Sequence, residues 1–214
     1  MYEQKDLQYF EHARTEISSL IKFPPNARVL ELGCGSGYTL HWLKQSGRCQ
    51  WAAGIEAYAP RMNSGLIDEF FHSDAEQPLP DLQYSKYDAI LCLDVLEHLR
   101  DPWSALSRLV ERLAPGGQVI VSLPNIRNYK TVLNLLVNGD FSYAEDGILD
   151  RTHLRFFTRR TAEQMIRNSG LEVTEVFFPE MNRPLKRLIN TMGMGDLLAK
   201  QMIFSCRRPD QLLA

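Results

Sequence analysis

VLELGCGSGYTL, residues 29–40, places three glycines in five positions directly behind an apolar run, and then uses no more glycine. A strand that runs into glycines and then into a helix brings unobstructed backbone N–H groups to the crevice at the carboxyl end of a parallel sheet. A dinucleotide would want G-x-G-x-x-G there, the third glycine allowing close helix–strand packing. Here the spacing is G-x-G-x-G (Gly33, Gly35, Gly37), and Tyr38 stands where the third glycine belongs. Glu31, two residues ahead of the first glycine, would repel a pyrophosphate and suits a ligand carrying positive charge, such as an amino-acid ammonium. An NAD-type ligand is disfavoured on both counts.

Working outward from this loop, β-like runs alternate with helical patterns. RVLEL is followed by a helix from about Tyr38 to Ser46, then WAAGI, a short helix near Ala59 to Ser64, EFFH, YDAILCL, a helix from Pro102 to Leu113, and QVIVSL. This alternation predicts βαβ units and a parallel sheet covered on both faces, which is why AILCL and VIVSL are nearly continuous apolar runs. Asp101-Pro102 supplies an N-cap and an N1 proline, and Ala114-Pro115-Gly116-Gly117 closes that helix before the next strand.

Residues 124–157 form a connector long enough to be functional, with a helix from Tyr129 to Val137 closed by Asn138-Gly139. Thr158 or Thr161 caps a helix from Arg159 to Ser169 that Gly170 ends. LEVTEVFF, a helical insertion from about Arg183 to Leu198, and KQMIFSC complete the chain. At the other end, Leu7, Phe10, Ala13, Ile17, Leu20 and Ile21 have near-helical spacing before Pro24-Pro25, so residues 1–25 read as a flanking helix or lid and 26–214 as the main domain.

At 214 residues the chain can bury a real core without staples. Its net charge of −2 gives no electrostatic footprint for sequence-independent nucleic-acid binding. The four cysteines (Cys34, Cys49, Cys92, Cys206) lack C-x-x-C spacing and read as buried free thiols in a reducing compartment. No h-region opens the chain and no run approaches the ~20 apolar residues of a membrane span, so a cytoplasmic protein is expected.

A second acid, Glu56, ends the next strand about 20 residues on, the place from which a carboxylate accepts ribose hydroxyls. A third, Asp74, ends the following strand. Three acids at successive strand ends, with no Lys or Arg at those ends, describe a pocket for a cationic nucleoside.

E-L-G-C-G-S-G (Glu31 to Gly37), Glu56, S-D-A (Ser73 to Ala75), YDAILCLDVLEHLRDP (Tyr87 to Pro102) and LAPGGQVIVSLPN (Leu113 to Asn125) together resemble the class I S-adenosylmethionine (SAM)-dependent methyltransferases. The resemblance covers most of residues 27–178. It implies an α/β, Rossmann-like, seven-stranded and mostly parallel sheet whose last two strands, LEVTEVFF and KQMIFSC, form a reversed hairpin. It also implies SAM as cofactor and S-adenosylhomocysteine as product, with Gly33, Cys34, Gly35 and Gly37 under the methionine part. On the same resemblance Glu56 meets the ribose, Asp74 and Ala75 lie beside the adenine, and Leu93 and Asp94 line the methyl-donor side.

Because the sulfonium methyl is already activated, the protein's main task is to hold a nucleophile in line with it, worth on the order of 7–11 kcal/mol of barrier. An alcohol also needs its proton removed, for which histidine is the usual agent. His98 and His153 are the candidate bases. His98 closes a D-x-x-E-H cluster similar to one with which some quinone-precursor O-methyltransferases hold a divalent cation; the residues alone are not enough to assign a metal here.

Asp150–Phe157, DRTHLRFF, resembles a segment common in methyltransferases encoded with cell-surface polysaccharide genes. Charged groups alternating with aromatic faces suit a sugar, and Asn125, Arg151, Arg155 and Phe156 are the candidate acceptor contacts. Ion pairing that merely pins the loop is the alternative. O-methylation of a sugar or glycan intermediate in surface-polysaccharide assembly is therefore expected, with a quinone precursor or other small metabolite as the alternative acceptor. A non-catalytic SAM-binding accessory role is the alternative from another class. The insertion RPLKRLINTMGMGDLLAK carries Leu185, Leu188, Ile189 and Met192 beside basic residues, which leaves a homodimer face, a substrate cover or peripheral membrane contact open.

Overall fold

The structure is a computed structural model that describes residues 12–58, 65–179 and 195–209. Seven strands form one sheet: β1 (Arg28–Leu32), β2 (Trp51–Glu56), β3 (Glu69–His72), β4 (Tyr87–Leu93), β5 (Leu113–Pro124), β6 (Glu172–Phe177) and β7 (Gln201–Arg207). Their order across the sheet is β3-β2-β1-β4-β5-β7-β6. β1 to β5 pair in parallel, and β7 runs antiparallel to both β5 and β6. The sheet is thus the mostly parallel, hairpin-ended one that the sequence implies.

The helices are α1 (Tyr38–Gln45), α2 (Pro102–Glu111), α3 (Tyr129–Asn138), α4 (Arg159–Asn168) and α5 (Gly195–Leu198). Asp101 caps α2 by accepting from the Ser104 N–H, and Thr158 and Thr161 form a reciprocal capping box at α4. Side chains of successive strand residues alternate between two cores. Leu30, Leu32, Ile90 and Cys92 pack on the side that carries α2 and α4, while Val29, Ala89, Leu91 and Leu93 pack against α1 and the N-terminal segment. Burial on both faces is the reason that YDAILCL is apolar at consecutive positions.

The N-terminal expectation needs correcting. In place of a helix running to Lys22, the described part is a single 3-10 turn, Thr15–Ser19, which buries Ile17; Leu7 and Phe10 lie outside the described residues. This segment is a strap: the Arg14 N–H donates to Thr39 Oγ1 (3.2 Å) at the start of α1, and Gln118 Nε2 donates to the Leu20 carbonyl (2.7 Å) from β5. The helix expected near Ala59 to Ser64 falls outside the described residues, as does the 183–194 part of the insertion expected to be helical, of which only α5 is described. β5 begins earlier than expected, at Leu113, so the Pro-Gly-Gly turn belongs to the strand. All four cysteines are buried and free.

Candidate functional site

A cavity of about 610 Å³ opens at the carboxyl ends of β1, β2 and β4, a size usual for cofactor pockets. Its wall includes Glu31, Gly33, Cys34, Gly35, Glu56, Asp74, Ala75, Leu93, Asp94 and His98, so nearly all the residues expected at the cofactor are brought to one place. Gly37 stands just behind, as the left-handed residue (φ 83°) from which α1 starts.

The loop geometry explains why glycine is required. Gly33 has φ 70°, and a Cβ built there would lie 2.6 Å from Val95 Cγ2, so both backbone sign and space exclude a side chain. A second constraint was not read from the sequence. Gly54, inside β2, leaves room for Cys34, whose Sγ would be 2.5 Å from an added Cβ. Cys34 is accordingly a packing residue at the loop, and burial pushes its thiol well above the ordinary range.

Glu56 accepts from the Gly35 N–H (2.9 Å) and the Tyr58 N–H (2.8 Å), so one carboxylate fixes both the glycine loop and the turn after β2. Burial raises its pKa, and these N–H donors oppose the rise. Glu31 is only 2% exposed, and its Oε2 has no hydrogen-bond partner among the described residues. Burial pushes its pKa up to about 8; Arg14 lowers it in part and Glu56 raises it further. A buried, unsatisfied carboxylate facing a cavity is arranged for a donor that a ligand brings.

One expectation changes here: the cavity does contain a cation. Arg14, carried in by the strap, pairs with Asp94 and Glu16 and donates to Ser122 Oγ (3.1 Å). Burial acts against its charge, but Asp94 and Glu16 outweigh that and keep the guanidinium ionised. Ser122 Oγ also donates to Asp94 Oδ1 (2.9 Å), and Gln201 Nε2 reaches both Asp94 and Ser122. Asp94 itself has φ 56°, the only positive value at a non-glycine residue among those described, a conformation held by this network from four elements. Arg14 was missed because the signal lies 17 residues ahead of the loop, in a segment with no motif of its own.

The two candidate bases meet. His98 and His153 stack edge to face with ring centroids 4.8 Å apart. His98 Nδ1 faces the Thr152 carbonyl (3.1 Å) and His153 Nδ1 the Ile148 carbonyl (3.0 Å). A carbonyl only accepts, so in the neutral rings the proton sits on Nδ1 and the lone pair on Nε2. Burial lowers the His98 pKa to about 4; the Thr152 hydrogen bond opposes this and His153 adds to it. Glu97 is 1% exposed, with its pKa raised well above the usual range, first by burial and then by Asp94. Ligand atoms of Glu97, His98 and His153 lie within 4.8 Å of one another, a donor set suited to a divalent cation.

The expected acceptor contacts are placed differently from one another. Asn125 is fully buried, and its amide donates to the Asp196 and Ala199 carbonyls (2.9 Å for the latter), so it ties β5 to the turn before β7 instead of facing the cavity. Arg151 pairs with Glu145 (2.7 Å), and Arg155 donates to the Arg100 carbonyl (3.0 Å) while lying over Trp103. Phe156 is half-buried beside His153, with ring centroids 6.4 Å apart.

With this geometry in hand, the chain belongs to the methyltransferase-domain family, whose model matches residues 5–176. It is 28% identical over 159 residues to the ubiquinone biosynthesis O-methyltransferase of Aromatoleum aromaticum, covering 70% of this chain and 65% of that one. It is 27% identical over 195 residues to the enzyme of the same name from Hydrogenovibrio crunogenus, covering 82% and 76%. The chain thus spans about 65% of the first of these relatives. Among solved structures, a SAM-dependent methyltransferase from Archaeoglobus fulgidus superposes with a TM-score of 0.66 at 16% identity, covering 96% of each chain. A Burkholderia thailandensis 1,6-didemethyltoxoflavin-N1-methyltransferase, solved with S-adenosylhomocysteine, does so at 0.64 and 16%, covering 98% and 84%. Among the described residues, no helix is long and apolar enough to cross a membrane.

Proposed function

We propose that the chain O-methylates a hydroxyl on a small ring-bearing acceptor, with the hydroxyl presented to His98 and His153 at the end of the cofactor cavity. The observation that carries this reading is the meeting of the two imidazoles beside Asp94, one of them lining the cavity. In this reading the unsatisfied Glu31 carboxylate and the Arg14 guanidinium receive the ammonium and carboxylate of the methionine part. Glu56 receives the ribose hydroxyls, and Asp74 and Ala75 border the adenine.

The acceptor hydroxyl is best taken as phenolic. A general base works best with a pKa near the operating pH, and a His98 held neutral down to about pH 4 is a weak base. A phenol, ionising near about 10, asks far less of it than an alcohol. The curated relatives, named for ubiquinone biosynthesis, lend support in the same direction. The glycan acceptor has less in its favour than the sequence led one to expect, because the polar groups of DRTHLRFF are engaged with their own chain.

A second reading is favoured by the cluster of Glu97, His98 and His153, whose buried Glu97 Oε2 has no hydrogen-bond partner among the described residues. These three residues would hold a divalent cation, which would polarise the acceptor hydroxyl as a Lewis acid. One experiment addresses both readings: methyl transfer from SAM to a panel of phenols, catechols and methyl glycosides, with and without EDTA. Transfer to phenols is expected. Transfer confined to glycosides would overturn the phenolic reading, and insensitivity to EDTA would remove the cation.

A further inference from the structure

Beyond the histidines lies a group of aromatic rings to which the reaction as proposed gives no task. Phe156 packs edge to face against Phe141 (centroids 5.6 Å, planes 78° apart) and lies 6.2 Å from Tyr143; Phe141 and Tyr143 are themselves 6.2 Å apart at 83°. Phe141 is 38% exposed and Tyr143 46%. Exposed apolar side chains are ordinary singly, but contiguous ones mark ligand or interaction sites.

These rings are not on a loose loop. Asp140 accepts from the Ser142 N–H (3.0 Å) and from Asn134 Nδ2 (3.1 Å), which fastens the turn bearing Phe141 to α3. Beyond Tyr143, the Ala144 N–H donates to the Leu149 carbonyl (2.8 Å) and the Arg151 N–H to the Ala144 carbonyl (3.0 Å). Both rings therefore stand between two fixed points, held in a herringbone with Phe156. The polar side chains around them already have partners in the chain: Arg151 pairs with Glu145 at the surface, Thr152 donates to buried Asp150, and Arg155 donates to the Arg100 carbonyl. Few hydrogen-bonding groups remain for a sugar, and aromatic faces are what is offered.

The contacts run without a break from the cavity wall: His98 to His153, His153 to Phe156, Phe156 to Phe141 and Tyr143. We infer that Phe141, Tyr143 and Phe156 form an acceptor-binding platform that takes an uncharged aromatic portion of the acceptor remote from the hydroxyl presented at His98. The acceptor is then elongated, with the methylated hydroxyl at one end and a flat π-bearing unit at the other. The inference rests on the proposed function only for which end of the acceptor lies at the histidines.

The test is calorimetric titration of the S-adenosylhomocysteine complex of the whole chain with catechol, 4-phenylcatechol and 4-cyclohexylcatechol. An aromatic pair on a preformed platform is expected to make 4-phenylcatechol bind about tenfold or more tighter than catechol, with the cyclohexyl compound well behind. The double variant Phe141→Leu/Tyr143→Leu keeps apolar volume and should abolish the phenyl advantage while leaving affinity for catechol and S-adenosylhomocysteine unchanged. Absence of binding, equal binding of the phenyl and cyclohexyl compounds, or a phenyl advantage that survives in the double variant would each overturn the platform. Methyl transfer from SAM to bound 4-phenylcatechol is read separately. Binding without transfer would sink the O-methylation reading and leave the platform standing.

Discussion

At the carboxyl ends of β1 and β2 the carboxylates of Glu31 and Glu56 face an open cavity, one with an oxygen unsatisfied and the other committed to two N–H groups of the loops that shape it. Beyond β5, Asn125, Arg151 and Arg155 are bonded to their own chain, and Leu133, Leu135, Leu136, Val137, Phe141 and Tyr143 are among the side chains that stand outward. The first region brings its carboxylates to a cavity and leaves one of their oxygens without a partner among the described residues. The second uses polar groups to hold its own shape and offers apolar surface. On the proposed function the contrast has a reason: a cofactor with fixed charges repays polar groups that face it, whereas an acceptor that must enter and leave is better met by shape and aromatic faces.

The contrast breaks most visibly at the histidines, which lie between the two regions. Under the proposed function, His98→Ala or His153→Ala should lower kcat by about 10²–10⁴ with SAM affinity unchanged, by single-turnover assay and calorimetry. Full turnover in both variants would remove both from the chemistry. Next in size under the same proposal, Glu56→Ala should weaken SAM by roughly 100-fold, since it would lose the proposed ribose contact as well as the anchor of the Gly35 N–H, each worth a factor of about ten or more. Glu56→Ala should leave the circular dichroism spectrum unchanged.

Gly33→Ala tests the cofactor side as architecture. Its left-handed φ and the 2.6 Å approach to Val95 predict a loss of about 2 kcal/mol or more, lowering Tm by roughly 4–8 °C even without ligand. In the second region, Leu136→Ser at a 76% exposed position of α3 should change stability by no more than about 0.5 kcal/mol.

Glu31 supplies the pH dependence. Its folded pKa of about 8 stands above the unfolded value of 4.5, so the folded protein holds a proton that the unfolded chain gives up. This group's contribution to the stability of the ligand-free protein is fully present below pH 4.5 and is lost as pH rises through 8. SAM binding should show the opposite trend, strengthening up to pH 8 as Glu31 ionises to meet the ammonium. Glu31→Gln should flatten both profiles, and a wild-type affinity that is flat from pH 6 to 9 would count against the pairing. His98 runs the other way: with a folded pKa of about 4 against 6.5, its contribution is present above pH 6.5 and lost as pH falls through 4.

How much of this was legible beforehand differs between the same two regions. Gly33, Gly35, Glu31, Glu56, Asp74 and Asp94 could be read because each sits at or just past a strand end, where a short local pattern fixes both backbone path and side-chain direction. Asn125 was read as an acceptor contact from its place after β5, but its amide is used to fasten the turn before β7, 71 to 74 residues further on. Arg14, Ser122 and Gln201 converge on Asp94 from three distant segments, and no local pattern announces that.

By itself the sequence determined the parallel sheet, through apolar runs buried on both faces, and the glycine loop behind β1, through its G-x-G-x-G spacing; the hairpin end was implied by the family resemblance. Tertiary structure alone decided that a cation enters an otherwise acidic cavity, that two histidines 55 residues apart form one unit, and that the arginines of DRTHLRFF find partners within the chain. The physical reason is range. Backbone conformation and alternating burial are set by neighbours in the chain, whereas the partner of a charge or of an aromatic face is whatever the completed fold brings within a few ångströms.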